Sequence, residues 1–180
     1  MSQLAAPMSG DGVRAEPMAE AHRADLKAAC AEETEVWAIY ATNFGPDGFD
    51  ASFDRIMALP WVRFVLFEGD ALVGMSCFLN IDHERGVLEI GNTYYRPAWR
   101  GTGFNRRAKD MMLTHAFDAG YRRVEFRVDA RNQRSQAAME KLGAVREGVM
   151  RADRITWTGH VRDTVLFSIL RDEWPTAQLR

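Results

Sequence analysis

The sequence has little of what holds small exported domains together or binds a metal. It contains two cysteines, Cys30 and Cys77, and neither lies in a Cys-x-x-Cys or Cys/His spacing, so we expect no disulfide framework and no zinc or other metal site. Both thiols are flanked by apolar or small residues, which is typical of buried cysteines in a reducing compartment. No apolar run approaches the roughly 18 to 20 residues that cross a bilayer. We therefore expect a cytoplasmic protein that does not engage a membrane.

What is present indicates one globular domain. The 180 residues are 47% apolar and 27% charged, which is typical of a chain that builds its own core. No internal repeat or low-complexity linker marks a domain boundary. We expect a flexible leader over residues 1–12, because these lack the basic and apolar regions of a signal peptide, and a single domain over residues 13–180.

Charge is distributed unevenly along the chain. Residues 1–95 carry 6 basic and 15 acidic side chains, a net charge of −9, whereas residues 96–134 carry 10 basic and 4 acidic ones, a net charge of +6. A basic block inside an acidic chain favours a local anionic ligand over a nucleic-acid surface. A solvated face without a partner explains the same charges, so this pattern leaves both interpretations open.

Strand and helix patterns alternate without a regular βαβ repeat, which predicts a mixed α/β fold (of the α+β type) around one sheet. Gly120 and Gly143 are expected to end helices. His115 falls on the apolar face of its helix, so we expect a core histidine there rather than a catalytic base. The expected strands are 13–17, 62–67, 72–81, 87–95, 124–128, 149–157 and 161–170, and the expected helices are 19–31, 104–119 and 135–142, with two more helices and a loop in 32–59.

A glycine-rich turn joins the strand 87–95 to the helix that follows it. In the stretch Arg100-Gly101-Thr102-Gly103, the glycines let a ligand approach the main chain, and the first N–H groups of the helix attract negative charge. Together they predict a phosphate cradle. A dinucleotide fingerprint is excluded because Arg106 holds the place of its third glycine, and the Gly-Lys-Ser/Thr of a Walker loop is absent. Taken alone, the stretch also fits a tight turn that binds nothing.

Three motifs in this order resemble the GNAT superfamily of acyl-CoA-dependent N-acyltransferases. The stretch from Arg100 to Asn105 is similar to the signature Arg/Gln-x-x-Gly-x-Gly/Ala and departs from it at Asn105. The segment 132–148, which begins Asn-Gln-Arg-Ser, resembles the second signature of the family. Glu89-Ile90-Gly91 resembles the branch that contains the ribosomal-protein alanine N-acetyltransferases. The similarity covers about residues 13–174.

The resemblance implies a seven-stranded mixed, mostly antiparallel sheet in which the strands 87–95 and 123–128 splay apart. Acetyl-CoA, the co-substrate, is then expected in the split, with its pantetheine beside residues 93–95 and its pyrophosphate on residues 101–106. The cofactor-binding residues implied in this way are Thr93, Tyr94, Tyr95, Arg100, Gly101, Thr102, Gly103, Phe104, Asn105, Arg106 and Asn132.

The implied reaction moves an acetyl group from acetyl-CoA to a primary amine by direct attack in a ternary complex. This chemistry needs a neutral amine, donors for the developing oxyanion and a proton for the leaving thiolate. We expect Glu89 to be the base, directly or through water, although a solvent-facing glutamate fits the strand equally well. Many members of the family use a tyrosine as the acid, and its position is held by Met139 here. Ser135 is the candidate acid in its place, unless it only caps its helix or orients the cofactor.

The sequence leaves the acceptor open. Resemblance to the ribosomal-protein branch suggests a protein N-terminal amine, and a small-molecule amine fits nearly as well. The loss of the tyrosine and the change at Asn105 also fit a different class, an acyl-CoA-binding sensor or interaction module without turnover. A homodimer is compatible with the sequence, and neither nucleic acid nor a membrane is an expected partner.

Overall fold

A computed structural model describes residues 3–174 of the chain. Within this range eight strands form one sheet in the order β1-β2-β3-β4-β5-β6-β8-β7. The strands are Met8–Gly10 (β1), Val13–Pro17 (β2), Val62–Glu68 (β3), Ala71–Asp82 (β4), Val87–Tyr95 (β5), Arg123–Asp129 (β6), Val145–Ile155 (β7) and Val161–Leu170 (β8). The α-helices are Arg23–Cys30 (α1), Phe49–Ala58 (α2), Phe104–Asp118 (α3) and Gln133–Leu142 (α4), and short 3-10 turns lie at Gln3–Ala5, Glu20–His22, Glu35–Ile39, Pro97–Trp99 and Arg171–Glu173.

One strand pair differs from the rest of the sheet. Neighbouring strands are antiparallel except β5 and β6, which are parallel and pair only where Val87, Leu88 and Glu89 lie opposite residues 123–125. Beyond that point β5 stays paired with β4 as far as Tyr95, while β6 stays paired with β8. The two strands therefore diverge, as the resemblance implies, and leave an opening in the middle of the sheet.

Alternation along the strands builds a core on each face of the sheet. On β3, Phe64 and Leu66 join the larger core beneath α3 and α4, whereas Val65 joins a second core beneath α1 and α2. Aromatic rings dominate the second core, where the Trp37 ring lies 4.7 Å from Tyr94, measured between ring centroids. The aromatic residues of segment 32–59 are therefore largely core.

None of the helices within residues 3–174 is long and apolar enough to cross a membrane.

Part of the expected flexible leader belongs to the sheet, which is why the sheet has eight strands and not the expected seven. Residues 8–10 form β1 and pair with β2, and Leu4 is only 3% exposed. The connection is an Asp11-Gly12 turn with φ angles of 47° and 75°, the conformation that a two-residue hairpin needs and that Asp-Gly favours. This dipeptide was the signal for the extra strand. Residues 1–2 and 175–180, which the expected leader and domain include, lie outside the described range.

The helices also differ from expectation at their ends. The single helix expected over 19–31 consists of a 3-10 turn followed by α1. Helix α3 ends one residue before its expected end, and the helix at 135–142 begins two residues earlier, at Gln133. His115 packs against the core but is only half-buried, since its ring stacks on Phe78, its Nε2 lies 3.2 Å from the Leu4 carbonyl oxygen, and it lines a smaller, separate cavity beside β1.

A close approach between two strands makes a stability prediction. A Cβ atom added at Gly74 on β4 would lie 2.0 Å from the Tyr94 carbonyl oxygen, so the main chains must separate to admit it. We expect Gly74→Ala to lower the free energy of unfolding by about 3 kcal/mol, measured by urea denaturation. The matched variant Gly148→Ala, on β7, meets no atom within 4 Å and should change stability by less than about 0.5 kcal/mol. Equal stability of the two variants would contradict this packing.

Candidate active site

The opening between β5 and β6 continues into one large cavity of about 1120 Å³. One end of the cavity is lined by the turn before α3 and the start of α4, and the other end, the far end, is lined by residues 153–157 on and after β7. Residues 39–43 lie between these ends, where the Tyr40 hydroxyl donates to the Thr93 carbonyl oxygen at 2.7 Å. Between the two ends, the floor is formed by the diverging parts of β5 and β6. A single cavity therefore connects the predicted phosphate cradle to the predicted catalytic carboxylate.

The turn before α3 is open to a ligand at its two glycines. Gly101 and Gly103 have φ angles of +81° and +86°, and a Cβ atom built on either would meet nothing within 4 Å. The hydroxyl of Thr102 donates to the Trp99 carbonyl oxygen at 2.9 Å, while the Phe104 N–H reaches the Thr102 Oγ1 at only 3.4 Å. The helix therefore begins with main-chain donors beside empty space, which is the arrangement that binds phosphate groups. These residues fit the diphosphate of CoA.

The arginines around this turn are held by acidic partners. Arg100 pairs with Glu33, and its Nε donates to the Tyr95 carbonyl oxygen at 2.9 Å. The Arg106 Nε donates to Asp110 at 3.0 Å. Both side chains line the cavity, but their structural partners already offset part of their charge. The main-chain amides and the helix dipole are therefore the principal attraction for an anion in the turn itself.

Two further cations line the same end of the cavity. Arg134 and Lys141 lie on α4 and line the cavity. Sequence reasoning named their motif but not these side chains as ligands. The signal in the sequence that could have identified them was their spacing, because positions 134, 138 and 141 of a helix share one face. Ala138, on that same face, also lines the cavity.

Most residues predicted to bind the cofactor line the cavity, and three do not. Tyr94 points to the opposite face of the sheet, where its hydroxyl donates to the Ala29 carbonyl oxygen at 2.8 Å. Phe104 is fully buried in the core against Tyr95. The Thr102 hydroxyl is hydrogen-bonded within the turn, to the Trp99 carbonyl oxygen. The predicted residues found in the lining are Thr93, Tyr95, Arg100, Gly101, Gly103, Asn105, Arg106 and Asn132, together with the catalytic candidates Glu89 and Ser135.

A bulge in β5 shapes the middle of the cavity. Gly91 pairs with Cys77 and Tyr94 pairs with Met75, so two residues of β5, at positions 92 and 93, lie opposite a single residue of β4. Asn92 accordingly has a φ of +48°. A bulge interrupts the ladder and redirects the extra residue. Asn92 and Thr93 thereby both line the cavity.

Glu89 is a buried carboxylate in the cavity wall, which excludes the alternative of a solvent-facing strand residue. It is 5% exposed, and its Oε2 accepts from the Asn80 Nδ2 at 2.7 Å. The Arg127 Nε lies 3.3 Å from the same oxygen. Burial raises the pKa of Glu89 above its ordinary value, and Arg127 and Asn80 offset only part of that rise. A carboxyl of this kind is a stronger base than an exposed glutamate.

Asn132, rather than Ser135, caps α4. Its side-chain oxygen accepts from the Ser135 main-chain N–H at 3.0 Å, so the alternative in which Ser135 is the cap is wrong. The Ser135 side chain lines the cavity beside Met139, which is 4% exposed. The thioether of Met139 has no proton to donate.

The far end of the cavity carries charges of both signs. Arg127, Asp153, Arg154 and Arg162 line it, and the Trp157 indole N–H is fixed by the Trp37 carbonyl oxygen at 2.8 Å. Burial raises the pKa of Asp153, but hydrogen bonds from Thr164 and Arg154 outweigh it and hold that pKa below its ordinary value. Asp153 is therefore ionised at neutral pH. No group of three or more His, Cys, Asp or Glu side chains in residues 3–174 could hold a metal.

A comparison with protein families decides the classification of this fold and cavity. Residues 13–145 match the profile of the Acetyltransferase (GNAT) domain. The chain belongs to the GNAT acetyltransferase family. The GNAT chain is also 31% identical over 111 residues to the uncharacterized N-acetyltransferase p20 of Bacillus licheniformis. That alignment spans 61% of this chain and 61% of p20, so the chain matches less than two thirds of that relative.

Solved structures of other GNAT proteins extend the similarity over nearly the whole chain. A GCN5-related N-acetyltransferase from Brucella melitensis superposes with a TM-score of 0.87 at 27% identity, covering 97% of this chain and 82% of that one. The ribosomal-protein-S5-alanine acetyltransferase from Vibrio fischeri superposes with a TM-score of 0.74 at 17% identity, covering 94% of this chain and 98% of that one. The second likeness shows a shared fold alone.

The open glycine turn makes a binding prediction for this GNAT protein. Gly103→Glu puts a side chain and a negative charge into the cradle, so we expect it to abolish measurable binding of CoA in isothermal titration calorimetry. Gly120→Glu is the matched control, because Gly120 has a similar φ of +93°, meets nothing within 4 Å and lies at the other end of α3. It should bind CoA like the unaltered protein. Unchanged affinity in a folded Gly103→Glu variant would rule out this phosphate site.

Proposed function

We propose that the protein transfers an acetyl group from acetyl-CoA to a primary amine by direct attack in a ternary complex. The observation that carries the proposal is the single cavity that joins an open cluster of main-chain donors at Gly101 and Gly103 to the buried carboxylate of Glu89. A binding module without turnover has no need for a buried, desolvated carboxylate in the same cavity. Membership of the GNAT family supports the same reaction.

Acetyl-CoA supplies the acetyl thioester in this reaction. The glycine turn and the N-terminus of α3 are suited to its diphosphate, and Arg134 and Lys141, which line the same cavity, add positive charge. The bulged part of β5 at positions 92 and 93 is suited to the pantetheine arm, because it is released from the regular ladder with β4. Main-chain N–H groups in this region are the donors available to a developing oxyanion.

Glu89 is suited to take the proton that the attacking amine loses. Its raised pKa brings its basicity closer to that of the amine. Because a base works only when deprotonated, the rate should rise with pH through the pKa of Glu89, at a pH above that of an exposed glutamate. The Asn80 amide and Arg127 orient the carboxylate on one side.

The charges at the far end favour an acceptor that is itself dipolar. Asp153 is suited to bind the acceptor amine while it is still protonated. Arg127, Arg154 and Arg162 are suited to bind carbonyl or carboxylate oxygens next to that amine. An α-amine followed by a peptide bond has both features. A polyamine has no oxygen acceptor for these three arginines to bind. Its several cations also gain less here, because the nearby carboxylates Glu89, Asp129 and Asp153 are already paired with arginines. We therefore propose the N-terminal amine of a peptide or protein as the acceptor.

A panel of acceptors tests this proposal directly. Release of CoA thiol from acetyl-CoA is measured with short peptides that have a free N-terminus, with the same peptides acetylated at the N-terminus, and with spermidine. We expect turnover only with the free peptides. Equal turnover with spermidine would move the acceptor to small amines. CoA binding without thiol release for any acceptor would favour the sensor or interaction module.

Replacement of Glu89 tests the base. We expect Glu89→Gln to lower kcat roughly 100-fold, to leave acetyl-CoA affinity nearly unchanged, and to remove the part of the rise of kcat with pH that follows the pKa of Glu89. The matched control is Glu125→Gln, since Glu125 lies opposite Glu89 on β6 and also contacts Arg127 but does not line the cavity. It should retain the rising limb, displaced to a slightly lower pH, because Glu125 contributes to the raised pKa of Glu89. An unaltered profile in Glu89→Gln would remove Glu89 from this role.

A further inference from the structure

A buried lysine lines the cavity without a role in the chemistry described so far. Lys109 lies on α3, six residues after Gly103, and is 3% exposed. Lysine is almost never fully buried unless it is paired. Yet within residues 3–174 its ammonium nitrogen forms no ion pair, and its hydrogen-bond partner is a neutral hydroxyl, the Thr93 Oγ1 at 2.8 Å. An amine in this position is a costly arrangement that packing alone does not explain.

The surroundings of Lys109 stabilise its charge only weakly. The Phe126 ring on β6 has its centroid 5.9 Å from the Nζ. The titratable groups that face it are the Cys77 thiol on β4, whose own pKa is raised by burial to about 12, and Glu89 on β5. Burial outweighs both of these and lowers the pKa of Lys109 to about 7. The Lys109 amine therefore gains and loses its proton near neutral pH.

Lys109 also lies on the same face of the sheet as Met139. Met139, which holds the position of the tyrosine that the resemblance implies as acid, belongs to the larger core together with Phe126, the ring beneath Lys109. Both Lys109 and Met139 line the cavity. Thr93, the hydrogen-bond partner of Lys109, lies in the bulge of β5 and is linked onward to the Ser76 hydroxyl at 2.7 Å. The amine thus reaches the part of β5 suited to the pantetheine arm.

We propose that Lys109 is the proton donor for the departing CoA thiolate, in place of the missing tyrosine. This inference rests on the proposed function. The amine nitrogen forms a bond to the acetyl carbon, its proton passes to Glu89, the carbon–sulfur bond breaks, and the sulfur takes a proton from the Lys109 ammonium. Exchange with water then removes the proton from Glu89 and returns one to Lys109. A donor with a pKa near 7 transfers its proton downhill to an alkyl thiolate, whose conjugate acid has a pKa of about 8.5.

The first test measures the protonation of Lys109 without turnover. The chain has only three lysines, Lys27, Lys109 and Lys141, so labelling lysine with ¹³C at Cε gives three side-chain signals in an NMR titration. The signal that is absent from Lys109→Arg belongs to Lys109. We expect it to titrate near pH 7 in the free protein. A Lys109 signal that titrates near 10 would overturn the proposal.

The second test separates proton donation from a structural role. Because a donor must be protonated, kcat of the unaltered protein should fall as pH rises through about 7. We expect Lys109→Met to lower kcat about 10- to 100-fold and to remove that falling limb. Lys109→Arg keeps the charge and a donor for Thr93 but cannot release a proton, so it should be equally slow. Lys27→Met, on the exposed side of α1, is the matched control.

The outcomes distinguish this inference from the proposed function. If Lys109→Arg restores full kcat, or if the falling limb persists in Lys109→Met, the lysine only supports Thr93 and the proposal fails while acetyl transfer stands. An acetyl group found on Lys109 by mass spectrometry after incubation with acetyl-CoA alone would make it an acceptor and would also overturn the donor role. If the unaltered protein binds CoA but acetylates no amine, the NMR titration still decides whether Lys109 has the pKa that a donor needs.

Discussion

The divergence of β5 and β6 after three paired residues is the constraint on which the cavity depends. A parallel pair that continued past Glu89 would close the sheet with main-chain hydrogen bonds and leave no room for a ligand. The two strands can separate because each keeps another partner, β4 for one and β8 for the other. The main-chain groups left in the gap would be costly if they were buried without partners. A ligand with its own amides, such as pantetheine, is suited to satisfy them.

The same gap makes it possible to keep ionisable groups in the interior. Glu89, Lys109 and Arg162 are all less than 9% exposed. Burial raises the pKa of Glu89 and lowers the pKa of Lys109 and of Arg162, which in each case favours the neutral form. Such groups destabilise a fold unless they are paired. Glu89 and Lys109 line a cavity in which their proton affinities are brought toward the range where acids and bases exchange protons at neutral pH. The cost in stability is concentrated at the place where the chemistry is proposed.

Local sequence patterns predicted the parts of this fold that depend on neighbours along the chain. The strand Val87–Tyr95 has its predicted bounds, and α3 starts at the predicted turn, because alternation, a glycine turn and a helical apolar face are short-range features. The hairpin that adds β1 was also signalled locally, by Asp11-Gly12, but a three-residue strand is too short to show alternation. The sequence did not show that the Tyr94 side chain lies on the opposite face from the cavity, because a bulge lies beside it and changes which side chains share a face.

By itself, the sequence determined the family and predicted a phosphate-binding turn and a candidate base, since each depends on motifs with fixed local spacing. Only the tertiary structure decided that Glu89 is buried, that Asn132 caps α4, and that Lys109 lies in the cavity. Those properties depend on which distant segments meet. Lys109 reads in the sequence as one more charge in a basic block, and its lowered pKa follows from its burial among β4, β5 and β6.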